Sequence, residues 1–220
     1  MLSGFLPAGR HLLVCSHRYL DLVAPCLGLH PLQAAGGQRS VQPPVTATFT
    51  SAVLTLKIRG GIGIGLDFTP WCAPTQQDRD DQMKVFIGQL DVAMEMDLPV
   101  SVSVLSPAGQ TSPSSYCPWI SRALLHNFSG NPAAALEAGF FLSFPPAVCR
   151  NQQVKRIQRI PLDHICLETD SPARGLHRNV SRSPTFLRTD AETTVKGQAP
   201  ETVRDITTQN AYRLFSRASR

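Results

Sequence analysis

Pro161-Leu-Asp-His-Ile-Cys-Leu-Glu-Thr-Asp-Ser-Pro172 is the stretch from which the fold of this chain can be read. Ile165, Cys166 and Leu167 form a short apolar run, the length of a strand buried on both faces of a parallel sheet. It ends abruptly in Glu168-Thr169-Asp170, and Ser171-Pro172 then breaks the strand. Two carboxylates at the carboxyl end of a buried strand are costly unless something binds them. In an α/β barrel that rim is where chemistry sits. Asp170 also reads as the cap of a following helix, and the residues alone leave both readings open.

At 220 residues the chain can bury a sizeable core in one domain, residues 1–220. An apolar fraction of 42% excludes disorder throughout, while 18 prolines against 15 glycines announce irregular stretches. The net charge of +5 fits a phosphate-bearing partner such as DNA. Much of the basic excess follows Arg150, at Lys155, Arg156, Arg159, Arg174, Arg178 and Arg182, and a solvated basic face explains it equally. The six cysteines (15, 26, 72, 117, 149 and 166) include no Cys-x-x-Cys pair, which argues against a zinc ribbon and a disulfide framework. Reduced thiols in a cytoplasmic or nuclear protein are expected, and no apolar run reaches membrane-spanning length. Asn127-Phe-Ser129 and Asn179-Val-Ser181 match the glycosylation pattern by chance, given no clear secretory signal.

Along the chain, Leu22–Leu27 reads as a strand running into Gly28-Leu-His30-Pro31, and residues 34–50 read as loop. A strand is expected near Ala52–Ile58, followed by Gly60-Gly-Ile-Gly-Ile-Gly-Leu-Asp67-Phe68. Its third glycine is misplaced for Gly-x-Gly-x-x-Gly, so a dinucleotide site is set aside. Residues 76–98 give the clearest helix, with Met83, Phe86, Ile87, Leu90, Ala93 and Met94 as its core stripe. Pro99–Ser103 reads as a strand, 106–119 as loop, Ala133–Ala138 as a short helix and Gly139–Phe144 as a strand. Glu201–Phe215 closes the chain as a helix with Val203, Ile206, Ala211 and Leu214 on one face.

Several of these segments carry a resemblance. Leu-Glu-Thr-Asp-Ser-Pro after Pro-Leu-Asp, Leu-Gly-Leu-His30-Pro, Gly-Ile-Gly-Leu-Asp67, Leu98-Pro-Val100, Leu125-His126-Asn-Phe-Ser-Gly130 and Asn210-x-x-x-Leu-Phe215 resemble, in order, the TatD family of metal-dependent deoxyribonucleases. The matches cover about residues 21–215, with 1–20 diverged. Pro25-Cys-Leu-Gly, Gln38-Arg-Ser-Val41 and Thr207-Thr-Gln-Asn-Ala211 bring the chain closest to the TatD-domain-containing protein 3 subgroup.

The resemblance implies an α/β fold, a TIM-type (β/α)8 barrel of the metal-dependent hydrolase kind, incomplete at the N-terminus. It implies phosphodiester hydrolysis, with Asp170 as catalytic residue, His126 and Asp170 as metal ligands, and His30 bordering the substrate site. The expected cofactor is a divalent metal, Mg or Zn, weakly bound. The family's first-strand His-x-His occurs nowhere here, its bridging Glu falls on Gly63, and a further His falls on Ser103. A catalytic zinc takes three protein ligands plus water, whereas magnesium keeps waters and tolerates few carboxylates. Two further readings stay open: a non-catalytic pseudoenzyme or truncated isoform acting as a binding scaffold, and a chain too incomplete to fold, since a lost first strand exposes sheet edges. Leu12–Cys15 is a candidate to pair in that strand's place.

Overall fold

The computed structural model describes residues 2–5, 24–32, 39–43, 49, 52–53, 58–105, 120–144, 154–168 and 197–218. Contacts divide the chain into two units, Met1–Ala123 with Phe215–Arg220, and Leu124–Leu214. The expected loop at 106–119, Leu12–Cys15, the cysteines at 15, 117 and 149, Arg174, Arg178, Arg182 and Asp170 itself lie outside the described residues.

In the first unit, strands β1 (Leu2–Phe5), β2 (Pro25–Gly28), β3 (Gly61–Asp67) and β4 (Val100–Leu105) pair in that order, all parallel. Parallel neighbours need a crossover, and helix α1 (Gln76–Glu95) supplies it between β3 and β4. Leu2–Phe5 fills the first-strand position and carries no histidine. The sheet residues of β3 and β4 alternate strictly. Ile62, Ile64, Leu66, Val100 and Val102 are buried on one face. Gly61, Gly63, Gly65, Asp67, Ser101 and Ser103 occupy the other, with Gly63 opposite Ser101 and Gly65 opposite Ser103.

Helix α1 starts where Thr75 caps it. The Thr75 hydroxyl accepts the Asp78 N–H at 3.1 Å, and the Asp78 carboxylate accepts the Thr75 N–H at 3.1 Å. It ends at Asp97, whose φ of 51° is left-handed, with the Leu98 N–H closing on the Ala93 carbonyl at 2.8 Å. That position usually takes glycine; here the Asp97 carboxylate is held by Arg122 and, at 3.2 Å, by Arg217.

The buried face of α1 differs from the apolar stripe read in the sequence. Phe86, Leu90 and Ala93 are buried, but Ile87 and Met94 are 49% and 43% exposed. In their place the helix buries Val85, Val92 and two amides, Gln82 and Gln89. The amides answer backbone groups that apolar side chains would leave unpaired. The Gln82 Oε1 accepts the Asp67 N–H at 2.8 Å while its Nε2 donates to the Asp67 carbonyl at 2.9 Å. Gln89 Oε1 accepts the Leu29 N–H at 2.7 Å. Each amide thereby pins the carboxyl end of a strand to the helix.

A second correction concerns Ala52–Ile58. Ala52 and Val53 are helical, as is Phe49, and Phe49 and Val53 are fully buried one helical turn apart. The expected strand is therefore absent at Ala52 and Val53, and residues 54–57 lie outside the described residues.

In the second unit, β5 (Ala123–Leu125), β6 (Phe141–Phe144) and β7 (Ile165–Leu167) pair in parallel, β5 with β6 and β6 with β7. Helix α2 (Ala133–Glu137) connects the first two, and α3 (Val154–Gln158) with the 3-10 turn Leu162–His164 precedes β7. Ile165 and Cys166 are buried, but Leu167 is 36% exposed, so β7 is buried on both faces only over its first two residues. Helix α4 (Pro200–Leu214) buries Val203, Thr207, Asn210 and Leu214, rather than the wholly apolar face expected. Asn210 donates to the carbonyls of Leu162 and Ile165 at 2.9 and 2.8 Å, which ties α4 to the start of β7.

Candidate active site

Within each unit the strands pair in parallel, so residues that directly follow neighbouring strands of a unit lie at the same end of its sheet. In the second unit, His126 follows β5 and Glu168 follows β7. The His126 Nδ1 lies 2.5 Å from the Glu168 Oε2. The same oxygen accepts the hydroxyl proton of Ser143 on β6 and, at 3.4 Å, the Asn127 N–H. Asn127 has a φ of 51°, a left-handed bend that asparagine tolerates and that turns its N–H towards the carboxylate. Its neighbour Phe128 then donates to the Ser143 carbonyl at 3.0 Å, joining β5 to β6 behind the site.

Glu168 is thus a buried acid with one oxygen fully engaged. Its side chain is 8% exposed, and its other oxygen, Oε1, is buried without a hydrogen-bond partner. A buried carboxylate oxygen left unpaired is expensive, and it suits a cation or a donor brought by a ligand. With the carboxylate on Nδ1, Nε2 is the nitrogen through which this ring would ligate a metal. This donor chemistry, one imidazole nitrogen and hard oxygens, fits a divalent cation. Among the described residues no group of three or more His, Cys, Asp and Glu comes together to hold a metal.

In the first unit, His30 follows β2, half-buried, and its Nδ1 accepts the Leu32 N–H at 3.1 Å. Gly63 and Ser103 share the small-residue face of β3 and β4, as the sequence implied. A Cβ added at Gly63 meets no atom within 4 Å, so the missing acid's position borders unfilled space. At Gly65 the same addition would sit 2.7 Å from the Ser103 carbonyl, so that glycine is required by packing. Asp67, at the end of β3, is 4% exposed and is spent locally, its Oδ1 accepting the Thr69 N–H and hydroxyl at 3.0 and 2.6 Å.

Cysteine chemistry is absent from these clusters. Cys26, Cys72 and Cys166 are free and buried. Burial pushes the thiols of Cys26 and Cys166 up to about 12, with the Glu168 carboxylate adding to the effect at Cys166. Burial, aided by Asp67, takes Cys72 to about 11. Such thiols are poor nucleophiles.

Ser143 and Asn127 did not emerge from the sequence as site residues, and Glu168 emerged only as a costly acid. The available signal was a hydroxyl in the middle of the buried run Phe141-Leu-Ser-Phe144, since a fully buried hydroxyl needs a partner. Nothing in the spacing names Glu168, 25 residues away, as that partner.

The chain is similar to known proteins. A Danio rerio protein named "Putative deoxyribonuclease tatdn3" is 47% identical over 92% of this chain and 79% of its own length. The Homo sapiens protein named Deoxyribonuclease TATDN3 is 37% identical over 91% of this chain and 77% of its own. The crystal structure of YJJV, a TatD homologue from Escherichia coli k12, matches with a TM-score of 0.71 at 19% identity, covering 94% of this chain and 82% of that one. The fold is accordingly α/β and TIM-barrel-like. The model of the TatD related DNase family matches residues 6–216, and the chain belongs to that family.

Proposed function

We propose that this chain is a metal-dependent hydrolase of nucleic-acid phosphodiester bonds, working with a reduced metal centre in which His126 and Asp170 are the ligands. The observation that carries the reading is the buried Glu168, which fixes His126 at the end of β5 and keeps an unpaired oxygen. Family membership and the TATDN3 relatives support the substrate class. A bound divalent cation, magnesium or zinc, supplies positive charge for the scissile phosphate. Asp170 takes the proton from the attacking water as the water oxygen bonds to phosphorus and the leaving oxygen departs. Glu168 holds the His126 ring and its tautomer, Ser143 and the Asn127 N–H hold Glu168, and His30 borders the substrate. With no His-x-His in the sequence and the family's Glu and His positions falling on Gly63 and Ser103, one weakly held cation is expected rather than a two-metal clamp. Buried free thiols suit a reducing compartment, the cytoplasm or nucleus. Among the described residues no helix is long and apolar enough to cross a membrane.

The test is single-turnover cleavage of a labelled DNA oligonucleotide by excess protein in Mg²⁺ or Mn²⁺. Slow cleavage is expected, abolished by chelation and reduced at least about 100-fold by Asp170→Asn. Absent cleavage with DNA binding intact overturns the reading in favour of a binding scaffold, and cleavage that survives chelation overturns the role of the metal.

A further inference from the structure

We propose that Trp71 and Arg39 form a stacking subsite for one unpaired nucleobase of a single-stranded nucleic acid. The proposal deepens the hydrolase reading and rests on it for the choice of nucleic acid. Trp71 lies four residues past the carboxyl end of β3 and is 55% exposed, although Cys72 and Ala73 beside it are buried. Isolated exposed aromatics are common, and exposure alone would carry nothing. Two further observations distinguish this one.

The first is the cation. The Arg39 guanidinium carbon sits 4.7 Å from the centre of the Trp71 ring, and its Nη1 donates to the Trp71 carbonyl at 3.4 Å. Arg39 makes no ion pair among the described residues. Its charge is therefore held against an indole rather than neutralised by a carboxylate. A ring that carries a guanidinium and keeps half its surface in solvent matches what a base and its phosphate need.

The second is rigidity. The Cys72 and Ala73 N–H groups both close on the Thr69 carbonyl, at 3.0 and 2.9 Å, and Thr69 is itself bonded to Asp67. Next to Arg39, Ser40 is 3% exposed, bridges to Leu32 and accepts Gln82 Nε2 at 3.1 Å. The loop after β2 and the turn after β3 are thus fastened to one buried glutamine, which also holds the end of β3. A platform set in advance loses little freedom on binding, which is what a weak stacking contact needs to register as affinity. Stacking tolerates every base but demands an unpaired one, so the subsite selects strand state and not sequence.

The experiment measures binding of a fluorescein-labelled oligo-dT and of a matched duplex in EDTA, where no cleavage occurs. Trp71→Ala is expected to weaken single-strand binding about tenfold and to leave the duplex unchanged, with Trp71→Phe recovering most of the loss. Arg39→Gln is expected to flatten the dependence of log affinity on log salt by about 0.7, the share of one phosphate on a single strand. Unchanged melting temperatures confirm that the exposed ring is not structural. Unaltered single-strand affinity in Trp71→Ala, or an equal loss on duplex, overturns the subsite. Cleavage measured separately in Mn²⁺ keeps the two readings apart: turnover without dependence on Trp71 removes the subsite alone, and Trp71-dependent binding without turnover removes the hydrolase alone.

Discussion

Replacing Gln82 by leucine should be among the most destabilising single changes available to this chain. The glutamine is fully buried, and each end of its amide is committed: Oε1 to the Asp67 N–H, Nε2 to the Asp67 carbonyl and the Ser40 hydroxyl. Leucine fills a similar volume, so the packing loss is small. What remains is a backbone N–H and a backbone carbonyl buried at the end of β3 with no partner, each costing about 1–3 kcal/mol. The Ser40 hydroxyl still reaches the Asp78 carbonyl, a long 3.4 Å contact, so its loss is partial. The sum is a destabilisation of about 2–6 kcal/mol. With a urea dependence of roughly 2 kcal/mol per molar, the unfolding midpoint should fall by about 1–3 M. A Gln82→Leu midpoint within about 0.2 M of the parent, inside the range expected of neutral substitutions, would refute the assignment of these bonds as the fastening of β3.

Glu168→Gln should lower Mn²⁺ affinity about 10- to 100-fold in calorimetric titration, because the neutral amide no longer fixes the proton on the His126 Nδ1. An unchanged affinity would separate Glu168 from the metal. Gly63→Glu combined with Ser103→His should raise Mn²⁺ affinity, as the added Glu side chain at 63 enters open space and 103 lies on the same face. Cys26 and Cys166 have folded-state pKa values raised to about 12 from 9.0, so their stabilising contribution is complete below about pH 9 and is lost as pH climbs towards 12. Melting temperatures should therefore decline across pH 9–11 less steeply in Cys166→Ala than in the parent, and parallel declines would remove the thiol from the alkaline limb.

What the sequence made legible divides by the kind of interaction involved. Strand β7 and helix α1 announce themselves by local pattern, an apolar run stopped by Ser-Pro and a long periodic stretch entered through Thr75. The orientation of α1 does not, because its buried face includes amides whose value lies in backbone groups 15 and 60 residues away. The strand expected near Ala52–Ile58 was also misread at Val53, which is helical and buried. At the site, motif order placed His126 at its strand end and put Gly63 and Ser103 on a common face. It did not assemble Ser143 with Glu168 and His126, since each sits on a different strand and no periodicity links them. Asp170 lies outside the described residues, so its role rests on the motif.

The alternation of β3 has a consequence for how this chain can change over time. Isoleucine, isoleucine and leucine on one side bury the surface that drives folding, at roughly 2 kcal/mol apiece. Glycines on the other side contribute almost none of it. Selection for a folded product and selection for chemistry therefore act on opposite sides of the same backbone. A donor erased on the glycine side leaves the cell's quality control nothing to detect, and such a loss can spread unopposed wherever turnover is dispensable. The reverse also holds. Because a Cβ at position 63 meets no atom within 4 Å, a donor lost on that side can be regained without disturbing the fold.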